Sequence, residues 1–172
     1  MKKGGFMLDV AAMAEVKQSY CIGVTGKELE FRAFRFAEGG LFMGDRPLGT
    51  VSADDINLED KVLVGKGASG EVFYATLKGD GRPVAVKAIP ISSKPHRDEV
   101  ERELMFITSH GQPQCEHVIH SYGAWWEPAE QKVYMCMDYM SYSVQQISIF
   151  GEGMGEALVR DITKQAILGL RH

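Results

Sequence analysis

The chain has 172 residues, 45% hydrophobic and 24% charged, with a net charge of −4. That is enough apolar material for one globular core with an appendage, and an acidic balance of this kind gives no reason to expect a nucleic-acid partner. Three cysteines (Cys21, Cys115 and Cys136) without a Cys-x-x-Cys pair suit a reducing compartment, so the cytoplasm or nucleus is expected.

Met1-Lys2-Lys3, then Phe6-Met7-Leu8 and the small residues Ala11, Ala12 and Ala14, imitate a secretory leader. Asp9 interrupts the already short apolar run, no membrane-length segment follows anywhere, and the first arginine is Arg32, which argues against a mitochondrial leader. Residues 1–19 are read as a flexible segment. In residues 20–55, Leu29, Phe31 and Ala33 alternate with Glu30 and Arg32, and an apolar run from Phe34 to Met43 turns at Gly39-Gly40. The pattern predicts a hairpin extending the next domain, with an unordered extension as the rival reading. Asp54-Asp55 and Glu59-Asp60 read as solvated charges ahead of that domain.

Gly65-Lys66-Gly67-Ala68-Ser69-Gly70-Glu71-Val72 then sets three glycines between two strands, and Val84-Ala85-Val86-Lys87 follows a short hairpin later. Glycine has no Cβ to block the approach of phosphates and tolerates φ > 0, so such a turn can close bare backbone over a nucleotide. A Walker loop would need Lys and Ser or Thr after the last glycine, whereas Glu71 and Val72 stand there. A dinucleotide-binding turn would open a helix. The residues after Gly70 are instead β-branched and aromatic (Val72-Phe73-Tyr74), and Lys78-Gly79-Asp80-Gly81-Arg82-Pro83 is turn chemistry between strands. The alternative, a glycine-rich surface hairpin, leaves Lys87 at this offset without a role. The two motifs together read as an ATP site in which the Lys87 ammonium meets the α and β phosphates.

Pro95 to Ser109 predicts an amphipathic helix carrying Val100, Leu104 and Ile107 on one stripe, with Asp98 and Glu99 in its first turn. At about 100° per residue, Glu103 falls about 40° from Ile107 and faces the sheet, while Glu101 faces away. Glu99 shares that edge, so the wheel leaves either acid as a partner for Lys87; the bland reading makes all these acids a solvated face. Cys115-x-His117-x-x-His120, near His110, has a superficial likeness to a metal cluster but lacks a second close-spaced ligand couple, so no metal site is assigned. Cys136, on an apolar strand, reads as core filling.

Taken together, these motifs resemble the N-terminal part of a eukaryotic protein kinase, over residues 56–172. Gln114-Cys115-Glu116-His117-Val118-Ile119, Tyr122-Gly123-Ala124-Trp125 and Lys132-Val133-Tyr134-Met135-Cys136-Met137-Asp138-Tyr139-Met140 are similar to segments of MAP kinase kinases. The resemblance implies an α+β fold: a kinase small lobe, built of an antiparallel five-stranded sheet and one helix, through the hinge (residues 56–140), then the first helices of a helical large lobe (141–172). It implies that Lys87 and Glu103 are catalytic and that Gly65, Lys66, Gly67, Ala68, Ser69, Gly70 and Lys87 hold the phosphates. It further implies that Val72 and Ala85 sandwich the adenine, that Met137 is the gatekeeper, and that the backbone of Asp138 and Met140 hydrogen-bonds the base edge. Gln145 stands where the family usually has an aspartate, which puts ribose contact there in question. The implied cofactors are ATP and Mg2+, with the magnesium ligands beyond His172.

No His-Arg-Asp catalytic loop, Asp-Phe-Gly or Ala-Pro-Glu occurs in the chain; the tripeptide His96-Arg97-Asp98 belongs to the helix predicted from Pro95. In the last helix, Leu158, Val159, Ile162, Ala166, Gly169 and Leu170 gather on one side, opposite Arg160, Asp161, Lys164 and Arg171, a face built for burial. The expectation is a piece of a longer kinase, inactive alone, whose parent phosphorylates a protein hydroxyl on a MAP kinase and is itself switched on by an upstream kinase. A truncated kinase or pseudokinase acting as a binding module, or another kinase of the same group, is the alternative. Lys2-Lys3-Gly4-Gly5-Phe6-Met7-Leu8 fits a MAP kinase docking segment, or an ordinary chain start. No membrane partner is expected.

Overall fold

The computed structural model describes residues 21–22, 27–37, 40–109, 115–149 and 154–171. The docking segment of residues 2–8, the Gly39 half of the Gly39-Gly40 turn, and His110 lie outside them.

Five short strands come first: β1 (Cys21–Ile22), β2 (Leu29–Glu30), β3 (Arg35–Ala37), β4 (Gly40–Met43) and β5 (Arg46–Leu48), each antiparallel to the next. The alternation in the sequence is visible in their burial. Leu29, Phe31, Phe34, Phe36 and Leu41 are all buried and Glu30 and Arg32 exposed, but Ala33, expected on the apolar side, is exposed as well, at the bend before β3. A hairpin was expected, and a whole meander is found. It forms its own sheet rather than lengthening the next one.

The link to the main sheet crosses strand β9 (Ser121–Glu127). The N–H groups of Thr50 and Val51 both donate to the Tyr122 carbonyl, at 2.7 and 3.2 Å. A Cβ on Gly49 would lie 2.5 Å from the Gly123 Cα, so backbone meets backbone there. Asp55, expected to be merely solvated, ends a short 3-10 turn, Ala53–Asp55: its carboxylate accepts from both the amide and the hydroxyl of Ser52 at 2.8 Å. Those hydrogen bonds hold its carboxyl below the usual carboxylate range.

The main sheet has five antiparallel strands: β6 (Val62–Gly67), β7 (Gly70–Thr76), β8 (Pro83–Pro90), β9 and β10 (Lys132–Asp138), in the order β6-β7-β8-β10-β9. Helix α1 (Lys94–Ser109) connects β8 to β9, and α2 (Val144–Ile149) and α3 (Glu156–Arg171) follow β10. This is the expected α+β small lobe with one helix. Helix α1 starts a residue earlier than predicted, with the Ser93 hydroxyl accepting from the His96 amide, and this shift moves Asp98 and Glu99 out of its first turn.

Each face of the main sheet carries a core. On one, Ile89, Ile91, Ala124, Trp126, Val133 and Met135 merge with Val100 and Leu104 of α1 and with the buried residues of the N-terminal sheet. On the other, Val84, Val86, Ala88, Trp125, Tyr134 and Cys136 are covered by Val51, Ile56 and Leu58 of the link. Burying each of these large side chains contributes roughly 1.5–3 kcal/mol, so both cores, and with them the N-terminal sheet, belong to the folding unit.

Helix α3 has no buried residue: Leu158, Val159, Ile167 and Leu170 all face solvent, Leu170 at 88%. Among the described residues, no helix is long and apolar enough to cross a membrane.

Candidate functional site

The glycine turn is the tip of the β6–β7 hairpin, where Lys66 pairs with Glu71 and Gly67 with Gly70. Gly70 is required by the fold, since its φ is +134° and any Cβ would collide with the Ala88 carbonyl oxygen. Gly67 is different. A Cβ there would meet nothing within 4 Å, and one on Gly65 would touch only Val72 at 3.8 Å. Folding places no demand on those two glycines, so their bareness suits something that approaches from outside. Ala68 and Ser69 occupy the tip. Lys66, grouped by the resemblance with the phosphate-holding residues, is drawn sideways into a 3.0 Å ion pair with Glu71, which Lys132 also approaches at 3.6 Å. The hydrogen bond from Lys66 is the main reason the Glu71 carboxyl is lowered.

Strand register places the other residues. Val72 and Met135 flank Lys87 on the two neighbouring strands, and Tyr74 and Met137 flank Ala85 in the same way. Residues directly opposite across a sheet share a face, as do residues two apart, so Val72, Ala85, Lys87 and Met137 line one surface. Lys87 reaches from it to helix α1: its Nζ is 2.6 Å from Glu103 Oε1 and 3.7 Å from Glu99 Oε1. Both acids on that edge therefore engage the lysine, Glu103 more tightly. Arg102 holds the second oxygen of Glu99 at 2.5 Å and so anchors that carboxylate from the solvent side. With the Lys87 side chain only 16% exposed, its charge is poorly screened and lies at the rim of the surface lined by Val72 and Ala85.

At the end of β10 the Asp138 amide donates to the His120 carbonyl at 3.0 Å, and the Asp138 carboxylate accepts from the His120 amide at 2.9 Å and the Tyr122 hydroxyl at 2.5 Å. The Asp138 amide and carboxylate are thus both engaged within the protein. Tyr122 is the extra residue where the β9–β10 register slips between Cys136 and Met137. Its bond to Asp138 is the main reason its hydroxyl titrates above the ordinary tyrosine value. Met140 is 57% exposed just past the strand, and Tyr139 sets its ring edge-on to Tyr74 at 4.9 Å. Ser143 and Gln146 cap α2 reciprocally, the Ser143 amide donating to Gln146 Oε1 at 2.7 Å and the Gln146 amide to Ser143 Oγ at 3.2 Å.

Sequence reasoning missed two members of this arrangement. Val64 is left unpaired by the register shift in β6 and is half exposed beside the first glycine; a third consecutive apolar residue after Val62 and Leu63 was its only signal. His96 lies 3.3 Å through Nε2 from the Ala68 carbonyl, tying the start of α1 to the tip of the turn. A carbonyl only accepts, so Nε2 carries the proton, and the buried Nδ1 has no partner among the described residues. No spacing rule would have joined positions 28 apart. Among the described residues, no group of three His, Cys, Asp or Glu side chains could hold a metal ion.

Residues 58–172 match the model of the protein kinase domain family. The serine/threonine-protein kinase shk1/pak1 of Schizosaccharomyces pombe is 25% identical over 111 residues, which cover 64% of this chain and 16% of that kinase. Mitogen-activated protein kinase kinase 5 of Leishmania mexicana is 31% identical over 85 residues, covering 49% of this chain and 16% of its own. Among solved structures, that of Rad53 1-466 in complex with AMP-PNP aligns with a TM-score of 0.54 at 25% identity, over 68% of this chain and 29% of that one. The chain thus spans about a sixth of the length of either curated relative, 16% in each case.

Proposed function

The chain belongs to the protein kinase domain family, and from that premise we propose that it is the nucleotide-binding part of an enzyme that moves the γ-phosphoryl group of ATP to a protein hydroxyl. The observation that carries this is the 2.6 Å Lys87–Glu103 pair at the rim of an apolar sheet surface, under a turn with two unobstructed glycines. In this reading Val72, Ala85 and Met137 take the adenine, and the backbone of Asp138 and Met140 meets its edge. Lys87, aimed by Glu103 and Glu99, orients the α and β phosphates while Gly65 to Gly70 cover them and keep water away. Magnesium, when bound with the nucleotide, would neutralise phosphate charge.

The acceptor we assign is a serine, threonine or tyrosine hydroxyl of a MAP kinase, supported by the Leishmania relative and by the Lys132–Met140 segment. The longer match to shk1/pak1 favours a second reading, a serine/threonine kinase of a neighbouring group. Titration of the 172-residue chain with MgATP and with adenosine tests the site. Lys87→Met should weaken MgATP by about 10-fold or more, the usual scale for losing one charge-assisted bond, and leave adenosine alone. Equal MgATP binding by that variant overturns the proposal. For the acceptor, a peptide of residues 1–14 should bind a MAP kinase and lose that binding on Phe6→Ala with Leu8→Ala; equal binding by both peptides counts against a docking segment there.

A further inference from the structure

Among the described side chains of α1, Val100 and Leu104 are fully buried, and both enter the core to which Leu29, Phe31, Phe34, Phe36 and Leu41 of the N-terminal region belong. Glu99 and Glu103 each immediately precede one of these residues. At about 100° per residue, the helix rotation that buries Val100 and Leu104 is the rotation that turns both carboxylates toward Lys87. The main sheet supplies Ile89, Ile91, Ala124, Trp126, Val133 and Met135 to the same core, and strands β3 and β4 of the N-terminal sheet lie against β9. That sheet is itself fastened to β9 by the paired amides of Thr50 and Val51.

We infer that the N-terminal sheet is a built-in positioning element for the Lys87–Glu103 pair: its aromatic core fixes the depth and rotation of α1 at which the carboxylates meet the lysine. Phe34 and Phe36, at 3% and 1% exposure, are positioning residues that act on the site through Val100 and Leu104. Close packing lets the core transmit this constraint, because it has one well-filled arrangement and not a continuum. The nucleotide arm of the test rests on the function proposed above; the helix arm does not.

The experiment compares the 172-residue chain with Phe36→Ala, with the conservative Phe36→Leu, and with Leu41→Ala, which opens the same core should Phe36→Ala fail to fold. In Phe36→Ala, hydrogen exchange at the amides of residues 100–105 should rise by about 10-fold or more while β8 and β10 stay protected. MgATP affinity should fall by about 10-fold and adenosine affinity by less than about 2-fold, with Phe36→Leu close to wild type on both measures. Leu41→Ala should move in the same direction. Faster exchange confined to β3 and β4, with α1 protected as before, overturns the inference. So does a parallel loss of MgATP and adenosine. If the unsubstituted chain binds no MgATP, the nucleotide reading fails and the exchange of α1 alone decides this one.

Discussion

Gly70 rests against the Ala88 carbonyl so closely that a single methyl group cannot be inserted between them. At φ +134° the position is also one that L side chains rarely adopt. Gly70→Ala should therefore cost about 1–3 kcal/mol of stability and lower the melting temperature by several degrees. Gly67→Ala, with open space at its Cβ, should melt like the parent and weaken MgATP more than adenosine. Calorimetry and titration of the pair check this; a Gly70→Ala chain as stable as wild type would contradict the turn geometry.

Met137 lies on the sheet surface beside Ala85, half buried against the core that holds α1. Met137→Gly should open space for bulky N6-substituted ATP analogues that the native side chain excludes, with a modest loss of stability from the truncated strand residue. Competition binding reads it. Unchanged affinity for both ATP and the analogue would remove Met137 from the adenine pocket.

Cys136 is fully buried, and burial pushes its thiol from 9.0 up to about 12. The unfolded chain releases this proton above pH 9 while the folded chain keeps it, so the contribution is whole below pH 9 and is lost as pH rises toward 12. Stability should fall by up to about 1.4 kcal/mol per pH unit across that window. Tyr134, also raised, chiefly by burial and then by its hydrogen bond to Glu130, adds to the loss above pH 10. Urea unfolding between pH 8.5 and pH 10 should show a shallower slope in Cys136→Ala; the same slope in both proteins would mean the thiol is not shielded.

The apolar residues of α3 that face solvent should bind a hydrophobic dye and draw chains together. A version ending at Tyr142 should do so less. Dye fluorescence and light scattering compare the two, and a monodisperse, dye-silent 172-residue chain would show that the helix finds a covering surface.

The site was legible in the sequence where a local rule governs it. The glycine turn, the lysine strand and the helix stripe each follow from backbone freedom or from a period of two or of 3.6, and both acids that the helical wheel sets on one edge, Glu99 and Glu103, approach Lys87. Legibility ended where two distant segments meet. Alternation at Leu29 to Phe36 marks strands but says nothing of which surface will receive them, so the separate sheet and its shared core with α1 were invisible. The same holds for His96 at the Ala68 carbonyl. Tyr122 at Asp138 depends on a register slip, which periodicity cannot show. Asp55 is exposed, as an acidic pair suggests, but nothing in the pair shows that the serine three residues before it donates to it twice.

The crossing at Gly49 and Gly123 has a consequence for solubility. Strand β9 would otherwise present a row of unpaired backbone groups along the rim of the main sheet, a template on which a foreign strand could assemble. The link lies across that rim, takes the Tyr122 carbonyl for itself, and sits too near for an intruding backbone to slip beneath it. A side chain at either glycine would lift the link and uncover the rim. Such variants would be expected to fail by aggregating during expression long before any defect in nucleotide handling could be measured.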